Sequence, residues 1–186
     1  MTNDPLARFD RAAAVADSTI AGVRPDQWDA PTPCTEWNLR QLLNHLVGGT
    51  KAFLSMQTGG APVDRAADHV GDDPLASFRS AVAELRAAFA EEGALEKTVN
   101  TPFGEAPGAV LVNMRVNEMM VHGWDVAKAS GQSTDLDPEL AAECVEDFRR
   151  LRAAGRGAGM FAEQREAPAG STAADQLAAV AGRTVS

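Results

Sequence analysis

The stretch from Gly108 to Ser130, GAVLVNMRVNEMMVHGWDVAKAS, contains no proline and is followed by Gly131. At roughly 100° per residue, Leu111, Val112, Met114, Val116, Met119, Val121 and Val126 cover most of a helical circumference. That is the pattern of a central helix packed on nearly all sides. Asn113, Asn117 and Lys128 share one narrow side, with Met120 and Trp124 beside them, and this side is expected to face water. Directly opposite lie Arg115, Glu118, His122 and Asp125. Four ionisable groups therefore point into the protein, where an unpaired charge is strongly disfavoured. Whatever the chain folds into must compensate them.

Two arrangements do so. One is an internal network in which Arg115 pairs with Glu118 or Asp125 and His122 is neutral and hydrogen-bonded. The other is a metal ion. Glu118 and His122 are four residues apart, hence neighbours on one helical face, and a carboxylate and an imidazole can converge there on one cation. Asp125, three residues after His122, reads as an acceptor that orients an imidazole N–H.

The rest of the chain supplies partners for such a helix. Alanine is abundant, tyrosine is absent and strand-like alternation is rare, so the fold class expected is all-α. A first helix is expected from about Pro5 to Val23, before Pro25 and the Pro31–Pro33 region break it. A second is expected to start at Thr35 as N-cap and run to about Gln57, with Leu39, Leu42, Leu43, Leu46 and Phe53 as its apolar stripe. A polar loop follows through Asp72. Asp73-Pro74 opens a third helix to about Glu92, and Gly93 to Pro107 forms a long connection suited to shaping a site mouth. The fourth helix is the stretch described above. Asp137-Pro138 opens a fifth helix, to about Ala154. From Gly155 the Gly- and Ala-rich tail reads as loose, with one short helix over Ser171 to Val180. The chain is expected to form a single domain over residues 1–186.

The second helix carries His45, bordering the stripe of Leu42 and Leu46. A lone histidine there is commonly a satisfied core residue. A second histidine on another buried helix changes that reading, because two His and one Glu form the three-ligand pattern of catalytic zinc, with one coordination position open. His69, in the polar loop, reads as a solvated surface residue. Cys34 and Cys144 sit in unrelated contexts and imply no disulfide framework. Cys34, placed just before the expected second helix, reads as a packed thiol, with a fourth ligand or a reactive thiol as alternatives.

The net charge of −9 argues against nucleic acid and anionic membranes as partners. No signal peptide or membrane span is read, and a cytoplasmic location is expected.

Pro33-Cys34-Thr35-Glu36-Trp37-Asn38-Leu39, leading into Leu42-Leu43-Asn44-His45-Leu46-Val47-Gly48, resembles the N-terminal motif of the mycothiol-dependent maleylpyruvate isomerase family, within the wider DinB-like metalloprotein group. Arg115-Val116-Asn117-Glu118-Met119-Met120-Val121-His122-Gly123-Trp124-Asp125 resembles its second motif. The resemblance implies a DinB-like up-down-down-up four-helix bundle with additional short helices. It implies His45, Glu118 and His122 as ligands of a divalent ion, zinc or else nickel or iron. It implies mycothiol as a low-molecular-weight thiol cosubstrate, and a small electrophile attacked by its thiolate in an isomerase or transferase reaction. Arg115 would then attract a substrate carboxylate, and homodimers occur in the group. The chain is expected to lack a separate C-terminal domain and to end instead in the short closing helix of smaller actinobacterial relatives, so substrate identity does not transfer. A metal-dependent hydrolase, a non-catalytic metal-binding stress-response protein and a metal-free structural bundle are the competing readings.

Overall fold

The structure, a computed structural model, describes residues 4–102, 104–154 and 162–185. The Gly/Ala-rich opening of the tail at 155–161, read above as loose, lies outside the described residues. Among the described residues, six α-helices and one hairpin follow in order: α1 Pro5–Ala21, α2 Leu39–Thr58, α3 Pro74–Phe89, β1 Thr98–Thr101, β2 Gly104–Pro107, α4 Gly108–Ser130, α5 Pro138–Ala153 and α6 Ala173–Val180, with a short 3-10 turn at Pro25–Gln27. The mostly helical class and the expected helix positions are borne out. No helix among the described residues is long and apolar enough to cross a membrane.

The helices begin where side chains satisfy their free N–H groups. Asp4, Asp73 and Asp137 accept from the N–H groups of Leu6, Ala76 and Leu140, each with proline at the next position. The cap of α2 differs from expectation. It is Asn38, not Thr35: Gln41 N–H donates to Asn38 Oδ1 at 2.9 Å and Asn38 N–H donates to Gln41 Oε1 at 3.0 Å. This reciprocal pair satisfies two donors where Thr35 would satisfy one. It also leaves residues 28–37 free to run as a loop, tied to the helix start by Leu39 N–H to Ala30 O and Arg40 N–H to Trp28 O. Gly59 and Gly131 close α2 and α4 in the left-handed conformation.

α1, α4, α2 and α3 pack as a ring in that order, each against the next, with α3 closing on α1. Phe9, Leu43, Leu46, Phe78, Leu85, Phe89, Leu111, Met119 and Trp124 fill the space between them. α1 crosses α4 closely at Gly123, where a Cβ would meet Val15 and Ala16. α5 and α6 pack on each other, and both pack on α4.

The expected water-facing side of α4 is covered by protein. Asn117, Met120 and Trp124 are all buried, and only Lys128 of that side is exposed. Trp124 Nε1 donates to Asp175 of α6 at 2.8 Å. Leu177, Ala178, Val180 and Ala181 join the main core, so the end of the tail is packed. The wheel of α4 alone had no way to count a covering element contributed fifty residues later.

The connection after α3 holds the antiparallel hairpin β1–β2, with Thr98 opposite Pro107 and Thr101 opposite Gly104. Its four-residue strands are too short and polar to show alternation. The hairpin delivers the chain to α4 at Gly108, whose N–H donates to Lys97 O at 2.9 Å. A Cβ on Gly108 would stand 2.1 Å from the carbonyl oxygen of Ala94, a backbone atom that cannot swing aside. Gly108→Ala is therefore expected to lower unfolding stability by about 2 kcal/mol, read from the midpoint of a urea unfolding curve.

Candidate metal centre

His45 on α2 and His122 on α4 face each other across the contact between those helices. Their ring centroids are 5.1 Å apart and the rings stand edge to face at 75°. Both line one cavity of about 1360 Å³, and Glu118, one turn before His122, lines it too. The three side chains named from the sequence thus reach a common space. Among the described residues, however, no three His, Cys, Asp or Glu side chains stand close enough together to enclose an ion.

Glu118 is engaged elsewhere. Its Oε2 forms a close ion pair with Arg115 Nη1. The Arg115 side chain is fully buried, donates from Nη2 to Thr50 Oγ1 at 3.0 Å and lies over the Phe53 ring at 5.2 Å. Burial pulls its pKa down from the usual arginine value, and the Glu118 charge opposes that pull. Of the two partners considered for Arg115, the structure selects Glu118. Arg115 stands behind Glu118 and is not among the residues that line the cavity; its contact there is with the Glu118 carboxylate, which it positions. Gly49 makes room for it: a Cβ there would lie 3.0 Å from Arg115 Nη1.

Asp125 is the acceptor that the sequence places behind an imidazole. Its Oδ2 lies 3.0 Å from His122 Nδ1, and its side chain is fully buried. Burial pushes the Asp125 carboxyl up, but hydrogen bonds from His122 and Arg183 outweigh it and hold the group below the usual carboxylate value. The ionised Asp125 accepts a hydrogen bond from His122 Nδ1, so Nε2 is the ring nitrogen that Asp125 does not hold. His45 is neutral. Burial first, then facing His122 and the positive charges of Arg65, Arg115 and Arg183, push its pKa down to about 3.

Two imidazoles and a carboxylate with one oxygen not taken by Arg115 are a donor set suited to a divalent ion of zinc type. The chemistry of the residues fits such a group.

Several residues of the site escaped the sequence reading. Trp37, part of the N-terminal motif, stacks its indole on His45 at 4.3 Å and lies 6.3 Å from His122. Thr32 Oγ1 donates to Trp37 O at 2.7 Å and holds that turn. Arg65, from the polar loop, places Nη2 3.3 Å from His45 Nδ1. Arg183 joins Asp125 from the tail; it is the lone charge after Asp175 in an otherwise neutral stretch, the one signal that could have marked it. His69 is half-buried, not solvated: its ring lies against Gly48 and its N–H donates to Asn44 Oδ1 at 2.6 Å. Cys34 lines the cavity, but α2 starts five residues later, out of reach of a helix-terminus effect that falls off within one turn. Burial pushes its thiol pKa up, against the pull of Arg183. Cys144 is buried and pushed up to about 12, in keeping with a packing role.

A helical bundle whose two central helices each present an imidazole to one cavity defines the architectural class. The mycothiol maleylpyruvate isomerase N-terminal domain matches residues 9–127, and the chain belongs to that family. The uncharacterized protein Rv0738 of Mycobacterium tuberculosis strain ATCC 25618 / H37Rv is 40% identical over 184 residues, covering 98% of this chain and 99% of that protein. The uncharacterized protein MT0763 of strain CDC 1551 / Oshkosh gives the same figures. Among solved structures, the mycothiol-dependent maleylpyruvate isomerase superposes with a TM-score of 0.65 at 17% identity, over 82% of this chain and 72% of the other. A mutant of that isomerase gives 0.66 at 18% identity over the same shares. At such identities these structures establish the shared fold.

The Arg115–Glu118 pair yields a stability test. Glu118→Gln leaves a fully buried guanidinium without its counter-charge, and a loss of about 3 kcal/mol is expected in the metal-free protein. Urea unfolding measures it, and adding Arg115→Met in the same chain should recover much of the loss.

Proposed function

We propose that the chain holds one divalent ion, zinc in the first instance, through His45, Glu118 and His122, and works with mycothiol as a transferase or isomerase on a small electrophile. The observation that carries this reading is the pair of imidazoles from α2 and α4, 5.1 Å apart, on a cavity that Glu118 also lines. Membership of the isomerase N-terminal-domain family supports the thiol.

When bound, such an ion supplies a position where a thiol loses its proton at neutral pH and becomes a nucleophile. The protein's residues prepare that position. Asp125 fixes His122 with its proton on Nδ1. Arg115 holds one oxygen of Glu118 and leaves the other for the ion. Trp37 covers one face of the His45 ring and keeps water from it. Arg65, Lys97 and Arg165 lie on the cavity wall, where their charge favours anionic groups on thiol or electrophile. The cavity, about 1360 Å³, exceeds the few hundred Å³ or so of a common small-molecule site and leaves space for two ligands. Isomerase and transferase differ in whether the new carbon–sulfur bond is later broken. A cytoplasmic setting belongs to the same proposal, since both cysteines are free and a working thiol needs reducing surroundings.

Elemental analysis of protein purified without chelator is expected to find one equivalent of metal. His45→Ala and His122→Ala should each lose most of it; full retention in both variants refutes the ligand set. Mycothiol, at a hundred times its dissociation constant, should raise the melting temperature of the metal-loaded protein by about 5 °C or more, with smaller effects from glutathione and bacillithiol. No shift with any of the three refutes the thiol. Turnover of activated esters without thiol would identify a hydrolase instead.

A further inference from the structure

Residues 162–185 touch the residues behind the candidate centre through a buried ion pair. Arg183 Nε donates to Asp125 Oδ1 at 3.1 Å and Nη2 donates to Oδ2 at 2.7 Å. Nη1 donates to Ala181 O at 2.9 Å, so the guanidinium is itself fixed by backbone. Arg183 is 8% exposed and Asp125 is fully enclosed. The two parallel bonds of a planar guanidinium lock a carboxylate against rotation in a way that one bond does not. With both oxygens held, Oδ2 stays directed at His122 Nδ1, 3.0 Å away.

We propose that Arg183 is a positioning residue of this centre: from the tail, it clamps the Asp125 carboxylate so that His122 keeps its proton on Nδ1 and presents Nε2 as a donor. The part of the proposal that concerns metal affinity rests on the ligand set proposed above; the effect on the imidazole belongs to the metal-free protein as well. Arg183 lies far beyond residue 127, where the family match ends, so this chain completes the centre from a segment outside the shared domain.

Docking of the tail does not explain the pair. α6 is already held by Trp124 Nε1 and Thr134 Oγ1 donating to Asp175 Oδ1 at 2.8 and 3.2 Å, by Arg152 Nη2 donating to Val180 O at 2.9 Å, and by Leu177, Ala178 and Val180 in the core. Burying a guanidinium is a costly way to add an anchor to such a helix. Its position on the carboxylate that touches His122 gives it a use that no apolar side chain could fill.

The test uses the full chain, stripped of metal with chelator, and long-range ¹H–¹⁵N imidazole spectra assigned to His122. The unsubstituted protein should show a proton on Nδ1. Arg183→Met should move His122 toward the Nε2-protonated form, and Arg183→Lys, which keeps charge and loses the fork, should fall between the two. Asp175→Ala loosens the tail without touching Asp125 and should leave the His122 pattern unchanged. In a zinc titration, Arg183→Met should weaken binding about 10- to 100-fold. An unchanged His122 pattern in Arg183→Met overturns the proposal, as does an equal change in Asp175→Ala. If His122 responds as expected in protein that binds no zinc, the positioning role stands and the ligand set proposed above falls.

Discussion

A row of ionisable side chains on a helix enclosed by protein is the constraint from which most of this structure follows. Arg115, Glu118, His122 and Asp125 occupy successive turns of α4, and each needs a partner that water does not supply. The chain resolves them as two separate couples. Arg115 and Glu118 neutralise each other toward the start of the helix, and Asp125 balances Arg183 while bonding His122 toward its end. The alternative pairing of Arg115 with Asp125 would have left Glu118 unpaired on the cavity wall and His122 without an acceptor. The spacing of three within each couple places the members on one face of the helix, and the outcome is an imidazole held at Nδ1 by a buried carboxylate.

The bundle around α4 is what keeps those couples dry. α1 approaches closely at Gly123, α2 brings Gly49 against Arg115, and α6 covers Trp124. At Gly49 the missing side chain makes room for the guanidinium, 3.0 Å from where a Cβ would stand. The stretch Leu46-Val47-Gly48-Gly49-Thr50 combines both roles on α2. Leu46 and Val47 fill the core, while Gly49 and Thr50 accommodate and bond the guanidinium. Packing and polar satisfaction are therefore served by the same turn of helix, and neither can be altered without the other.

The helices were legible in the sequence because their signals are local. Asp-Pro pairs and terminal glycines mark α3, α4 and α5 to within a few residues, and apolar periodicity identifies the faces of α1 and α2. His45, Glu118, His122 and Asp125 were legible as candidates for the same reason: each stands on a helix whose buried face can be counted. What was missed is non-local. Trp37 reaches His45 because Asn38, not Thr35, caps α2, a choice between two good capping residues that depends on the loop folding back through Ala30 and Trp28. Arg65 and Arg183 come from segments without periodicity, so nothing in their own neighbourhoods indicates where they point. The burial of Trp124 depends on α6, whose eight residues could be recognised as a helix but not placed.

Glu118 is where the stability of the fold and the proposed chemistry meet. In the metal-free protein its carboxylate compensates Arg115, and a cation arriving at the two imidazoles would have to share it. Such sharing is chemically reasonable, because a carboxylate offers two oxygens and several lone pairs, and Arg115 takes Oε2 alone. It also has a physical consequence. A guanidinium held against one oxygen draws electron density from the other and lowers its strength as a ligand, while the same contact limits the positions the carboxylate can adopt. An affinity set this way is weaker than that of an unencumbered carboxylate and more selective in geometry. The fully buried Arg115 thus acts on the proposed centre without touching it, much as Asp125 acts through His122, and two of the three donor side chains are governed from behind by residues of the same helix.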